Sequence, residues 1–126
     1  MKTRILATLL VLMLLVTALT GCQTAKPAAT TAASTTAAAY RAARSAGITL
    51  LSILHAATGD LNRVRRLVKA LGFVNCTEDF GRQPAVINGF SELMVQVFRA
   101  ETGAHARSAI GVNALPGGIP VEVELV

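Results

Sequence analysis

"QPAVINGFSELMVQVFRAETGAHARSAIGV", residues 83–112, is the stretch on which the fold turns. Pro84 suits the first turn of a helix, where its missing N–H would have no intrahelical partner in any case. Val86, Phe90, Leu93 and Val97 then fall at i, i+4, i+7 and i+11, and Met94 and Phe98 widen that stripe. This is the apolar face of an amphipathic helix. Gly103 ends it. Ala106 to Ala114 follows as a strand, and Arg107 carries a cation into it. Burying such a charge is costly unless a partner is supplied.

Working outward, Leu115-Pro116-Gly117-Gly118 is turn chemistry. Val121-Glu122-Val123-Glu124-Leu125 alternates as a half-buried strand does. Upstream, Ala43, Gly47, Leu50, Leu54 and Ala57 repeat at three- and four-residue steps and predict a helix over Tyr40 to Ala57, stopped by Gly59. The intervening "GDLNRVRRLVKALGFVN", residues 59–75, reads two ways. Leu61, Val64, Val68 and Leu71 suit a helix capped by Asp60. Val68, Ala70, Gly72 and Val74 suit a strand. Pattern alone leaves both open, with a turn at Asp60 to Arg63 and a strand from about Arg66 as the working division. The order helix, strand, helix, strand, strand gives an α+β layer with two helices on one face of a small mixed sheet.

The front of the chain has another character. Lys2 and Arg4 precede Ile5 to Ala18, an almost unbroken apolar run of 14 residues. That is short for a membrane span, which takes about 20 residues, and right for a signal peptide. It closes on Leu19-Thr20-Gly21-Cys22, which resembles the lipobox of bacterial lipoproteins. The expectation is a signal over residues 1–22 with lipid on Cys22, and so an exported protein anchored to the cell envelope, with the outer membrane one possible destination. Losing Lys2 and Arg4, and no acid, lowers the formal net charge from +5 to +3. Cys76 is then the one cysteine left without a lipid, so no internal disulfide is expected. Residues 23–39 hold eight Ala and five Thr with no apolar periodicity, and read as a disordered tether. The folded candidate is residues 40–126.

Two long segments carry a resemblance. "GDLNRVRRLVKALGFVNCTEDFGRQPAVINGFSELMVQVF", residues 59–98, and "GAHARSAIGVNALPGGIPVEVEL", residues 103–125, resemble the RidA/YjgF proteins, also called the endoribonuclease L-PSP family. The likeness runs from about Ala42 to Glu124. It implies a chorismate-mutase-like α+β fold, with the ambiguous segment a strand after a short turn at Leu61 to Arg63. It implies homotrimers with clefts between subunits, and hydrolysis of reactive 2-imino and enamine acids to 2-keto acids and ammonia without a cofactor. The family's working arginine corresponds to Arg107, as substrate-binding and catalytic residue, and its water-associated glutamate to Glu122. A guanidinium suits this role because its planar fork matches a carboxylate, and a glutamate can take a proton from an attacking water. Family members normally carry two or three strands before the first helix. None is read here, so the expectation is a partial domain with one pocket wall missing.

Each feature also has a plainer reading. Arg107 could pair with Glu122 or Glu124 on a neighbouring strand, leaving a non-catalytic module that binds small carboxylates or serves interaction. His55 and His105 are isolated, so no metal site is expected; His105 reads as a surface loop residue, with a place flanking the cleft beside Arg107 as the alternative. Arg63, Arg65, Arg66 and Lys69 form a basic cluster. It straddles a turn and a strand and lacks an aromatic platform, so a solvated face is expected rather than a nucleic-acid partner.

Overall fold

The computed structural model describes residues 32–126. The signal segment, Cys22 and residues 23–31 lie outside the described residues. The elements are helix α1 (Ala32–Thr58), strand β1 (Lys69–Asn75), helix α2 (Gln83–Gly103), strand β2 (Ala106–Val112) and strand β3 (Val121–Leu125). Short 3-10 turns at Leu61–Arg63 and Pro116–Gly118 complete the order.

Helix α1 starts eight residues earlier than its apolar spacing predicts, so residues 32–39 are helical and not an unstructured tether. The reason is composition: alanine has the highest intrinsic helix propensity, and it extends a helix without needing an apolar stripe. At the other end Gly59 takes φ 76° and donates its N–H to the His55 carbonyl at 2.7 Å, a left-handed helix stop that glycine adopts without strain. Asp60 then opens the first 3-10 turn by accepting the Asn62 N–H at 2.9 Å.

The sheet order is β2-β1-β3. Strands β1 and β2 run parallel and are joined by α2, with Ala70 opposite Arg107 and Phe73 opposite Ile110. Strands β1 and β3 run antiparallel, with Phe73 opposite Glu122 and Leu71 opposite Glu124. The period of two then sorts the side chains. Ala70, Gly72 and Val74 are buried beneath the helices, while Leu71 and Phe73 lie on the other face of the sheet. Of the segment that pattern left open, Leu61–Arg63 is a 3-10 turn and Lys69–Asn75 is the strand, which starts three residues later than the working division at Arg66.

Both helices cover one face. Ala43 of α1 and Val86, Ile87, Phe90, Leu93 and Met94 of α2 form the core with Leu67, Ala70, Val74 and Val121. The helices meet closely at Gly89, where a Cβ would stand 2.1 Å from the Tyr40 carbonyl oxygen. That glycine is a packing requirement. Val97, expected in the stripe, is 41% exposed. It lines a shallow cleft with Leu61, Val64 and Phe98, just before the backbone leaves helical geometry at Arg99 (φ 61°, ψ 173°). For a residue with a Cβ such a conformation costs about 1–3 kcal/mol.

Candidate functional site

Arg107 is the second residue of β2, an edge strand of the sheet. Its register partner Ala70 is a helix-facing residue, so Arg107 projects toward α2. There its Nη1 donates to the Ser91 Oγ at 3.1 Å. The same Ser91 Oγ lies 3.1 Å from His105 Nε2. His105 Nδ1 lies 2.7 Å from the Gly103 carbonyl oxygen, and its ring meets Phe90 edge-on at 5.9 Å. Among the described residues no carboxylate lies against the guanidinium.

The geometry disposes of one sequence alternative. An ion pair from Arg107 to Glu122 or Glu124 needs neighbouring strands, but β1 lies between β2 and β3. Glu122 pairs with Phe73, on the sheet face away from the helices. From Arg107 it is displaced about 10 Å across two strand spacings and about 10 Å along the strands. The structure therefore does not bring Arg107 and Glu122 together within one chain. Of the two readings of His105, the surface loop is not what the structure shows: the ring is bonded into the Arg107 surroundings.

Two concavities flank this region. A groove of about 360 Å³ on α2 is lined by Ser91, Glu92, Val95 and Gln96, and so shares Ser91 with the Arg107 contact. Two side-chain bonds tie α1 to α2 beside it: Tyr40 Oη donates to Glu92 Oε2 at 2.7 Å, and Arg44 Nη2 donates to Gln96 Oε1 at 2.8 Å. The bond to Glu92 favours the protonated phenol and raises the Tyr40 pKa above its ordinary 10.0. A larger cleft of about 520 Å³ includes Cys76, Glu78, Gln83 and Asn113 in its lining. It lies at the far end of β2, about four residues or 13 Å from Arg107. Gln83 Nε2 donates there to the Phe80 carbonyl, with the Cys76 thiol 3.7 Å away. Cys22, the expected lipid site, lies outside the described residues.

The remaining candidates are dispersed. Arg63 Nη1 donates to the Thr58 carbonyl at 2.8 Å, and Arg65, Arg66 and Lys69 are exposed. Among the described residues no three His, Cys, Asp or Glu side chains are grouped to hold a metal. No helix among them is long and apolar enough to cross a membrane.

A parallel β-α-β unit, an added antiparallel strand and two helices on one face define a small α+β protein with an arginine at a sheet edge. The endoribonuclease L-PSP family model matches residues 17–126, and the chain belongs to that family, the RidA/YjgF proteins. It is 48% identical over 83 residues to Protein TCP17 of Trypanosoma cruzi, a match covering 66% of this chain and 52% of that protein. Among solved structures it resembles Atu1372 of Agrobacterium tumefaciens, a protein of unknown function, with TM-score 0.69 and 41% identity over 71% of this chain and 57% of that one. It also resembles a Shewanella oneidensis protein with a provisional endoribonuclease assignment, with TM-score 0.68 and 25% identity over 79% and 62% of the two chains. The chain thus spans about half the length of the curated relative it matches.

Proposed function

We propose that the protein hydrolyses small reactive 2-imino and enamine acids to 2-keto acids and ammonia. Membership of the family supports a RidA-like or related function, and the finer reading rests on Arg107. Its guanidinium is exposed and bonded to a neutral hydroxyl, with no carboxylate against it among the described residues. It thus keeps donors for a substrate carboxylate, which it would take as a planar, bidentate pair. Water then adds to the C=N carbon while a proton passes to nitrogen. The tetrahedral adduct collapses to the keto acid and expels ammonia.

In this reading Glu122 accepts the proton of the attacking water. Because Glu122 and Arg107 of one chain lie on opposite sheet faces, the glutamate serving an Arg107-bound substrate comes from another copy. That agrees with a family whose members are commonly homotrimeric and bind small ligands. The chemistry asks for no metal or organic cofactor. The activity is carried by an exported protein, tethered to a membrane through lipid on Cys22. Intact mass of the membrane-extracted protein tests that last element: loss of residues 1–21 with added acyl mass is expected, and an unprocessed chain would overturn it.

Freshly generated 2-aminoacrylate, with pyruvate release followed continuously, tests the activity. Wild-type protein accelerates release above the spontaneous rate, and Arg107→Ala does not. No acceleration by wild type, or full activity in Arg107→Ala, refutes the reading. A second reading follows from the separation of Arg107 and Glu122: a module that binds small carboxylates without turning them over. It predicts pyruvate binding that is lost in Arg107→Ala, together with no acceleration.

A further inference from the structure

The contacts around Arg107 form one directed chain. A main-chain carbonyl can only accept, so the Gly103 oxygen requires the proton of His105 to sit on Nδ1. In the neutral ring Nε2 is then an acceptor. The single hydroxyl proton of Ser91 points to it at 3.1 Å. That leaves the Ser91 oxygen with lone pairs, one of which accepts from Arg107 Nη1 at 3.1 Å. With the His105 proton on Nδ1, every donor in the sequence meets an acceptor.

The base of the chain is rigid. Gly103 is buried, and the His105 ring packs edge-on against Phe90, which is fully buried. Ser91 sits on α2 between two buried residues, Phe90 and Leu93. Arg107 itself is exposed, so without this support its long side chain would sample many rotamers and lose that freedom on binding. One N–H of the five is committed to Ser91, and the edge formed by Nε and Nη2 is left whole.

We infer that Ser91 and His105 are positioning residues for Arg107, fixing Nη1 so that the Nε–Nη2 edge is presented to a small planar carboxylate. The ligand class rests on the function proposed above; the chain itself does not. Neither residue touches the ligand. They act by pre-ordering the guanidinium, which raises affinity by removing part of the ordering cost.

The full chain is titrated with pyruvate as wild type, Ser91→Ala, Ser91→Thr, His105→Asn and Arg107→Ala, and the thermal midpoint of each is recorded. Ser91→Ala weakens binding about five- to tenfold, the scale of one freed long side chain, with the thermal midpoint unchanged. Ser91→Thr restores the hydroxyl and the affinity. His105→Asn keeps a donor for the Gly103 carbonyl but loses the acceptor for Ser91, so it weakens pyruvate binding as Ser91→Ala does. If Ser91→Ala and His105→Asn bind like wild type while Arg107→Ala does not, the positioning role is overturned and the carboxylate site stands. If wild type binds no pyruvate, the proposed function fails, and nitrogen-15 spectra of neutral His105 decide the inference. The proton on Nδ1, with an Nε2 resonance that moves in Ser91→Ala, upholds it. The proton on Nε2 overturns it.

Discussion

Replacing Gly89 by alanine sets two effects of opposite sign against each other. Inside a helix, alanine is favoured over glycine by about 1 kcal/mol, so local propensity alone predicts a gain. The structure predicts a loss. The new Cβ would stand 2.1 Å from the Tyr40 carbonyl oxygen and 3.0 Å from its carbon. The obstacle is main chain in the body of a 27-residue helix, not the free end of a side chain that can swing away. Relief therefore requires α1 and α2 to part, and this loosens the seam where Ala43, Phe90 and Met94 are fully buried. Overpacking of this kind costs about 1–3 kcal/mol, and a main-chain obstacle belongs at the upper end. The net expectation is a loss of about 2 kcal/mol once the propensity gain is subtracted. Urea unfolding followed by circular dichroism reads this as a lower midpoint with an unchanged slope. Gly81→Ala is the control, because a Cβ there would meet nothing within 4 Å; it should stay within about 0.5 kcal/mol of wild type. A Gly89→Ala protein as stable as wild type, or more so, would refute the close helix contact.

Arg99→Gly should stabilise the protein by about 1 kcal/mol, since the strain of a side chain at φ 61°, ψ 173° outweighs the added freedom of glycine in the unfolded chain. A lower urea midpoint would contradict that backbone geometry. Tyr40 is the single tyrosine, and the chain has no tryptophan, so phenolate absorbance reports it alone. Its midpoint should lie above 10.0 and fall toward it in Glu92→Gln. The sign for stability follows: the preference for protonated Tyr40 is fully present below the unfolded pKa and is lost as pH rises through the raised one. A midpoint unmoved by Glu92→Gln would dispose of the bond between α1 and α2.

The second helix was readable because a Val, Phe, Leu and Met stripe at helical spacing has one physical meaning, and the core confirms it at Val86, Phe90, Leu93 and Met94, with Ile87 buried beside them outside that stripe. Strand β3 was readable from strict alternation. Strand β1 was not, since a short run such as Lys69 to Asn75 satisfies both periods until its neighbours are known. The early start of α1 was hidden because alanine propensity leaves no stripe. At the site, Arg107 was visible as a charge entering a strand and His105 as its neighbour, but Ser91, which joins them, was not. Ser91 and His105 stand 16 and 2 residues away from it, and only the β-α-β crossover folds them together. The separation of Arg107 from Glu122 was equally invisible, because strand order is not written in the local pattern.

That separation yields the most direct test of a site shared between copies. Arg107→Ala and Glu122→Gln chains, each inactive alone toward 2-aminoacrylate, are co-expressed so that they mix within oligomers. If the arginine and the glutamate of one site come from different copies, random mixing rebuilds intact sites and restores about a quarter of wild-type activity. Activity no higher than that of either variant alone would contradict the account.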